Sequence, residues 1–222
     1  MVNKPRLRAR LYEPFYVPPE SCGASPPGLS AISSHHYRSA AKLIQYAQAE
    51  CTTQQFKTSF FVLSAICLFH ACLECYINEY IGLILDSLEE QDRKDTVIRF
   101  MSIQDKPFGR AKLNEYLDAC GVRDHFEVAA VEDVVALCEL RDRLYHHSAE
   151  MKPFNEYPQA AIVVLNKVGA RSVNSSWVNL VSHLDVGNWA RKVTERFIDG
   201  HCAITGWESP FSGQPPAWNS GL

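Results

Sequence analysis

The chain has no Gly-rich phosphate-loop signature, no internal repeat and no low-complexity tract. The first absence counts against an ATPase or a dinucleotide enzyme, whose loops need glycine so that backbone can approach phosphate closely. A strong charge of one sign is missing too: 22 Lys and Arg against 25 Asp and Glu leave a formal charge of -3. Such a chain does not coat nucleic acid nonspecifically, so any contact of that kind has to come from a local basic patch. No apolar stretch of the secretory type follows the basic N-terminus, which Pro5, Pro14, Pro18 and Pro19 interrupt, so no signal peptide is expected. The most apolar segment, residues 60–73, falls short of a membrane span and runs into Glu74, Asn78 and Glu79. The expectation is a buried helix in a cytoplasmic protein with no membrane partner.

The eight cysteines do not form a recognisable ligand set. Cys72 and Cys75 make a C-x-x-C with His70 close by, but no second pair stands at a spacing that would close a zinc site. The pair also lies mid-helix, whereas a redox C-x-x-C usually opens a helix after a strand. Cys67, Cys72, Cys75 and Cys138 therefore read as small apolar core residues, and no disulfide is expected to persist in the cytoplasm. No cofactor or metal is expected.

What is present suits one globular helical domain. A chain of 222 residues that is 46% hydrophobic can bury one good core or at most two small ones. Residues 1–29, rich in Pro, Gly and Ser, read as an extended arm, residues 30–206 as the domain, and residues 207–222 as a Pro-rich tail on the surface. The first helix is expected near 35–50, with Ala40, Leu43, Ile44 and Ala47 as its apolar stripe. The second, near 54–89, is apolar nearly all round at its centre and should be the spine. Residues 89–107 read as a connector with a partial helix. A short helix over 108–120 ends at Gly121, and a longer one follows over 125–149, with Val128, Val131, Val135, Leu137 or Cys138, and Leu144 as core candidates. Residues 161–184, rich in β-branched residues and turn signals, suggest a small β-hairpin or loop. The last helix is expected from 185 to a stop at Gly200, with Trp189, Val193 and Phe197 docking it.

Chemistry concentrates at the end of the 125–149 helix, in Arg141-Asp142-Arg143-Leu144-Tyr145-His146-His147. Asp142 and His146 are four apart, hence on one helix face. A carboxylate there can accept the Nδ1 proton of the imidazole and raise its basicity. Arg141 adds a permanent planar cation suited to phosphate oxygens. Upstream, His70, Glu74 and Asn78 follow at i, i+4, i+8 and form a polar stripe on the spine. Because a buried carboxylate needs partners, Glu74 is expected to face the helix carrying Arg141 and to position Arg141 or His146. The plain alternatives are a solvated helix end, with Glu139 and Arg143 paired, and a stripe that reaches solvent.

Arg followed by a polar residue and then His after four intervening residues resembles the R-x4–6-H signature of the HEPN superfamily. The passage "HACLECYINEYI" in the spine is similar to the second helix of several prokaryotic HEPN families. A second match to the spacing, Arg196 to His201, has Phe197 after the arginine and is set aside. The resemblance implies an all-α, up-and-down HEPN-like bundle, here with the small β-hairpin or loop insertion before its last helix. It also implies a metal-independent endoribonuclease of toxin or phage-defence type, a homodimer whose two motifs face each other across a cleft, and an antitoxin protein as a further partner. Arg141, Asp142, His146 and Glu74 are then the catalytic candidates, with His147, Arg143, His70 and Asn78 accessory. RNA contact would draw on Arg141, Arg143, Arg110, Lys112 and the run Lys4, Arg6, Arg8, Arg10, although that run also reads as a solubilising arm. Other classes stay open. One is a noncatalytic HEPN-like module for nucleotide binding or protein interaction. Another is a structural or regulatory helical protein. A metal hydrolase is weaker, for want of a closed ligand set.

Overall fold

The computed structural model describes residues 31–50, 55–87, 93–145, 156–170, 176–206 and 211. Among these residues all regular structure is helical and there is no strand. The helices are α1 (Ala31–Glu50), α2 (Gln55–Ser87), α3 (Arg93–Gln104), α4 (Arg110–Cys120), α5 (Val128–Tyr145), α6 (Gln159–Lys167), α7 (Trp177–Val181) and α8 (Leu184–Thr205), with a 3-10 turn at Arg123–His125. The N-terminal arm and most of the tail lie outside the described residues.

Helix α2 is the spine, as its all-round apolarity suggests, and it touches α1, α3, α5 and α8. Ala65, Ile66, Phe69, Leu73, Ile77 and Ile81 are fully buried along it. Each large side chain of that kind contributes about 1.5–3 kcal/mol of transfer free energy. Residues Thr58–Leu85 are long and apolar enough to cross a membrane by length and composition, with mean hydropathy 2.0. This stretch is longer than the segment expected from sequence, and half of its most apolar window is buried inside the bundle.

Helix α1 lies antiparallel on α2. The backbone N–H of Ser33 donates to Glu79 Oε1 at 3.1 Å and its hydroxyl to Oε2 at 2.6 Å, so a carboxylate from α2 closes the N-terminus of α1, where negative charge is favourable. At the other end Tyr46 meets Phe61. Helix α8 joins the pair through Tyr37, whose hydroxyl donates to Glu195, while Arg191 Nε donates to the same oxygen at 2.8 Å. The Phe211 ring lies tilted against Tyr37 with centroids 4.0 Å apart, which places one residue of the tail against the bundle. Gly187 lets α8 approach closely: a Cβ there would come within 2.4 Å of Ile44 Cδ1 and 3.3 Å of Val62 Cγ1.

Three sequence expectations need correction. Where a small β-hairpin or loop was expected over 161–184, the described residues form α6 and α7, with a turn at 168–169 after α6; residues 171–175 lie outside the described residues. Ala161, Val164 and Leu165 of α6 are fully buried, and that i, i+3, i+4 face outweighs the few tenths of a kcal/mol by which β-branched residues disfavour helix. Gly200 does not stop the last helix, which runs on to Thr205 and ends at Gly206 in the left-handed region, φ 76. Packing of His201 and Cys202, both buried, carries the helix through the glycine. Val128, expected in the core, begins α5 and is 77% exposed. The stop at Gly121 is as expected: φ is 68, its N–H reaches Asp118 O, and Val122 N–H reaches Leu117 O at 3.0 Å, a Schellman-type closure.

Candidate active site

Helix α5 carries the motif to its last described turn. Val134, Val135, Leu137, Cys138 and Leu140 are buried, which leaves Arg141, Asp142 and Arg143 to emerge at the rim. Arg141 is one-third exposed, and its Nη1 donates to Asp142 Oδ1 at 2.9 Å. The guanidinium also lies 4.4 Å from the ring centroid of Tyr145, one turn on, a cation–π contact worth about 0.5–1 kcal/mol at an exposed site. Asp142 and Arg143 border a cleft of about 420 Å³ whose other walls, among the described residues, are Glu139, Gln159 and Ala160, so it opens between the end of α5 and the start of α6. His146 and His147, the imidazole candidates, lie outside the described residues.

The polar stripe of α2 faces this end of α5. The charge of Arg141 acts on Cys67 and His70, and that of Asp142 acts on His70. Further along α2, Glu74 acts on Cys138. As α2 ascends its partners on α5 descend, so the two helices run antiparallel here. Glu74 also acts on Cys75 and on Lys112 of α4. Of the stripe residues, His70 is the one whose surroundings include both Arg141 and Asp142.

His70 is 2% exposed and sits edge-on to Phe108, centroids 5.2 Å apart. Its Nε2 is buried with no hydrogen-bond partner among the described residues. Burial, reinforced by the Arg141 charge and opposed by Asp142, pushes its pKa down to about 4, so the ring is neutral near pH 7. Asn78 is half-buried, and its Oδ1 is likewise buried without a partner among the described residues.

The expected basic patch changes character. Lys112 is 1% exposed and donates from Nζ to Gln104 O at 2.9 Å, so it cannot serve a surface ligand; burial lowers its pKa against the raising effects of Glu74 and Asp105. Arg110 is held by both oxygens of Glu132, at 2.7 and 2.9 Å. Arg143 is exposed at the cleft, and the N-terminal cations lie outside the described residues.

The second spacing match separates in space. Arg196 is on the surface and pairs with Glu127, whereas His201 is fully buried. The imidazole lies between two tyrosines, Tyr76 Oη at 2.9 Å from Nδ1 and Tyr116 Oη at 2.8 Å from Nε2. A neutral imidazole donates to one and accepts from the other. Tyr76 Oη also lies 3.3 Å from Cys202 Sγ, and the Tyr80, Phe126 and Phe197 rings complete the enclosure. Sequence reasoning missed this cluster, since nothing in the spacing of Tyr76, Tyr116 and His201 along the chain announces their meeting.

Comparisons with protein-family models, with curated proteins and with solved structures found no match to this chain.

Proposed function

We propose that this chain is a HEPN-like up-and-down bundle acting as a metal-independent endoribonuclease, a cytoplasmic homodimer of toxin or defence type. The observation that carries the reading is the placement of Arg141. It lies one-third exposed in the last described turns of α5, held by Asp142 and Tyr145, one residue before the pair Asp142 and Arg143 that borders the cleft. RNA brings its own nucleophile, the 2′-hydroxyl. Cleavage then needs a base for that hydroxyl, an acid for the leaving 5′ oxygen, and a cation for charge building on the phosphate oxygens. His146, four residues after Asp142, fits the proton-transfer role, with His147 its less well placed neighbour. Arg141 fits the charge-stabilising role. One imidazole cannot readily face both oxygens of an in-line displacement, so two motifs across a dimer cleft would share the task. An antitoxin chain is the further partner this reading implies.

The test is cleavage of labelled single-stranded RNA in EDTA by the wild type, Arg141→Ala and His146→Ala. Cleavage by the wild type, lost in both variants, supports the reading. Equal activity of all three overturns it. A second reading, a noncatalytic nucleotide-binding or protein-interaction module, draws on the Arg141–Asp142 ion pair, which already offsets the charge of the guanidinium. RNA binding without cleavage by a folded wild type would favour it.

A further inference from the structure

In a chain whose formal charge is -3, one helix is almost without acids. Over residues 31–49, α1 holds Arg38 and Lys42, with His35 and His36, and no Asp or Glu; its first acid is Glu50, its last residue. Arg38 and Lys42 are exposed, and neither has a carboxylate partner among the described residues. They are four apart, and Tyr46 stands four further on, so the three follow one face at steps of about 6 Å along the axis. Other arginines at the surface are paired, Arg110 with Glu132, Arg123 with Asp118 and Arg196 with Glu127.

The row ends on open aromatic surface. Tyr46 is 48% exposed and Phe60, near the start of α2, is 64% exposed. Phe61 joins them: its ring centroid lies 5.8 Å from that of Tyr46 and 6.1 Å from that of Phe60. The Lys42 ammonium lies 5.2 Å from the Tyr46 centroid, so cation and rings form one surface. A lone exposed aromatic needs no explanation, but a contiguous apolar patch marks an interaction surface. Charge decides what covers it. A second copy meeting the patch about a two-fold axis would set Arg38 and Lys42 near their own counterparts, with no acid over 31–49 to pair them. A polyanion is complementary to the cations, and one that carries flat rings suits the aromatics as well. A charged track beside stacking rings is the means by which single strands are held without sequence preference.

We propose that the outer face of α1 and the start of α2 form a binding track for single-stranded nucleic acid: Arg38 and Lys42 hold phosphates, and bases stack on Tyr46 and Phe60. Paired bases offer no free face, so the track selects unpaired strands. It rests on the endoribonuclease reading for RNA as the natural strand, and deepens that reading by naming the form of RNA taken. Binding at the track uses none of Arg141, Asp142 or His146.

The test is fluorescence anisotropy of a labelled, mixed-sequence 2′-deoxy oligonucleotide with the full chain, the strand being used alone and annealed to its complement. The proteins are the wild type, Phe60→Ala, Phe60→Trp, Tyr46→Ala and the double variant Arg38→Gln with Lys42→Gln, each checked by thermal melting. Phe60→Ala and Tyr46→Ala should each weaken single-strand binding about tenfold, the loss of one stacked base. Phe60→Trp, which restores a stacking face, should bind at least as tightly as the wild type. The double variant should flatten the slope of log affinity against log salt by about 1.4, the share of two phosphates on a single strand. The duplex should bind more weakly and be indifferent to Phe60→Ala. The track is overturned if the wild type does not bind, if both alanine variants bind like the wild type, or if polyglutamate displaces the strand as readily as unlabelled strand does. A wild-type dimer that Phe60→Ala turns into a monomer gives the patch to a second copy and overturns it too. Cleavage of sub-saturating RNA in EDTA separates the two readings. Cleavage by the wild type that is undiminished in Phe60→Ala removes the track alone. Strand binding that depends on Phe60, without cleavage, removes the endoribonuclease reading and leaves the track.

Discussion

Acidification should unfold this protein through its buried imidazoles, and His201 gives the clearest case. The ring is fully buried, and both nitrogens are engaged by uncharged tyrosine hydroxyls. The ionisable groups packed on it are Tyr76, Tyr80 and Tyr116, with Cys202 one bond further through Tyr76. None of these supplies a negative charge in the acid range, because burial pushes the Tyr76, Tyr80 and Tyr116 hydroxyls and the Cys202 thiol up. Burial alone lowers the His201 pKa from 6.5 to about 4. The unfolded ring therefore takes up a proton first. The contribution to stability is complete above pH 6.5, declines as pH falls from there toward 4, and is gone below. At about 1.4 kcal/mol for each tenfold change in proton affinity, it amounts to about 3 kcal/mol. That is a large share of the 5–15 kcal/mol typical of a domain. His70, 2% exposed and also pushed down to about 4, adds a loss of similar size in the same window. Urea unfolding from pH 8 to 4 measures the effect, with His201→Gln as the comparison, since the amide keeps a donor and an acceptor but does not titrate. The wild type should lose about 3 kcal/mol more than the variant between pH 7 and 4. Parallel curves for the two proteins would refute the argument.

Three further substitutions test the packing. Gly187→Ala should destabilise by about 1–3 kcal/mol in urea unfolding, because the new methyl meets Ile44 and Val62. Gly200→Ala should stabilise by about 0.5–1 kcal/mol, since this mid-helix glycine has ordinary φ and its added Cβ would meet Phe126 at a normal 3.6 Å. Glu79→Ala should cost about 1–2 kcal/mol, because it leaves Ser33, a fully buried residue, without its partner at the start of α1; a loss below a few tenths would show that the cap contributes nothing.

How much of this was legible beforehand follows from the range of the signals. The α1 stripe, the α2 spine and the Gly121 stop rest on period and local turn chemistry, and the sequence displays both. The α6 error arose where two local signals disagreed: Ile162, Val163 and Val164 favour strand by type, while Ala161, Val164 and Leu165 favour helix by burial against α5. The motif at Arg141 was visible as spacing, and so was the stripe of His70 and Glu74. The charge surroundings of the stripe were not, because the effects of Arg141 and Asp142 on His70 and of Glu74 on Cys138 depend on the register between α2 and α5. Lys112 and His201 are the extreme case. Each looks like an ordinary polar residue in the chain, and only tertiary partners make its burial tolerable.

In the proposed reaction the RNA's own 2′-hydroxyl is the nucleophile. An otherwise 2′-deoxy oligonucleotide with a single ribonucleotide, incubated with the wild type in EDTA, decides whether it is. One cut is expected, immediately 3′ of the ribonucleotide, leaving a 2′,3′-cyclic phosphate and a free 5′-hydroxyl, with no cut when His146→Ala replaces the wild type. Cleavage between deoxynucleotides, or an uncut ribo-substrate with a folded dimeric protein, would contradict it.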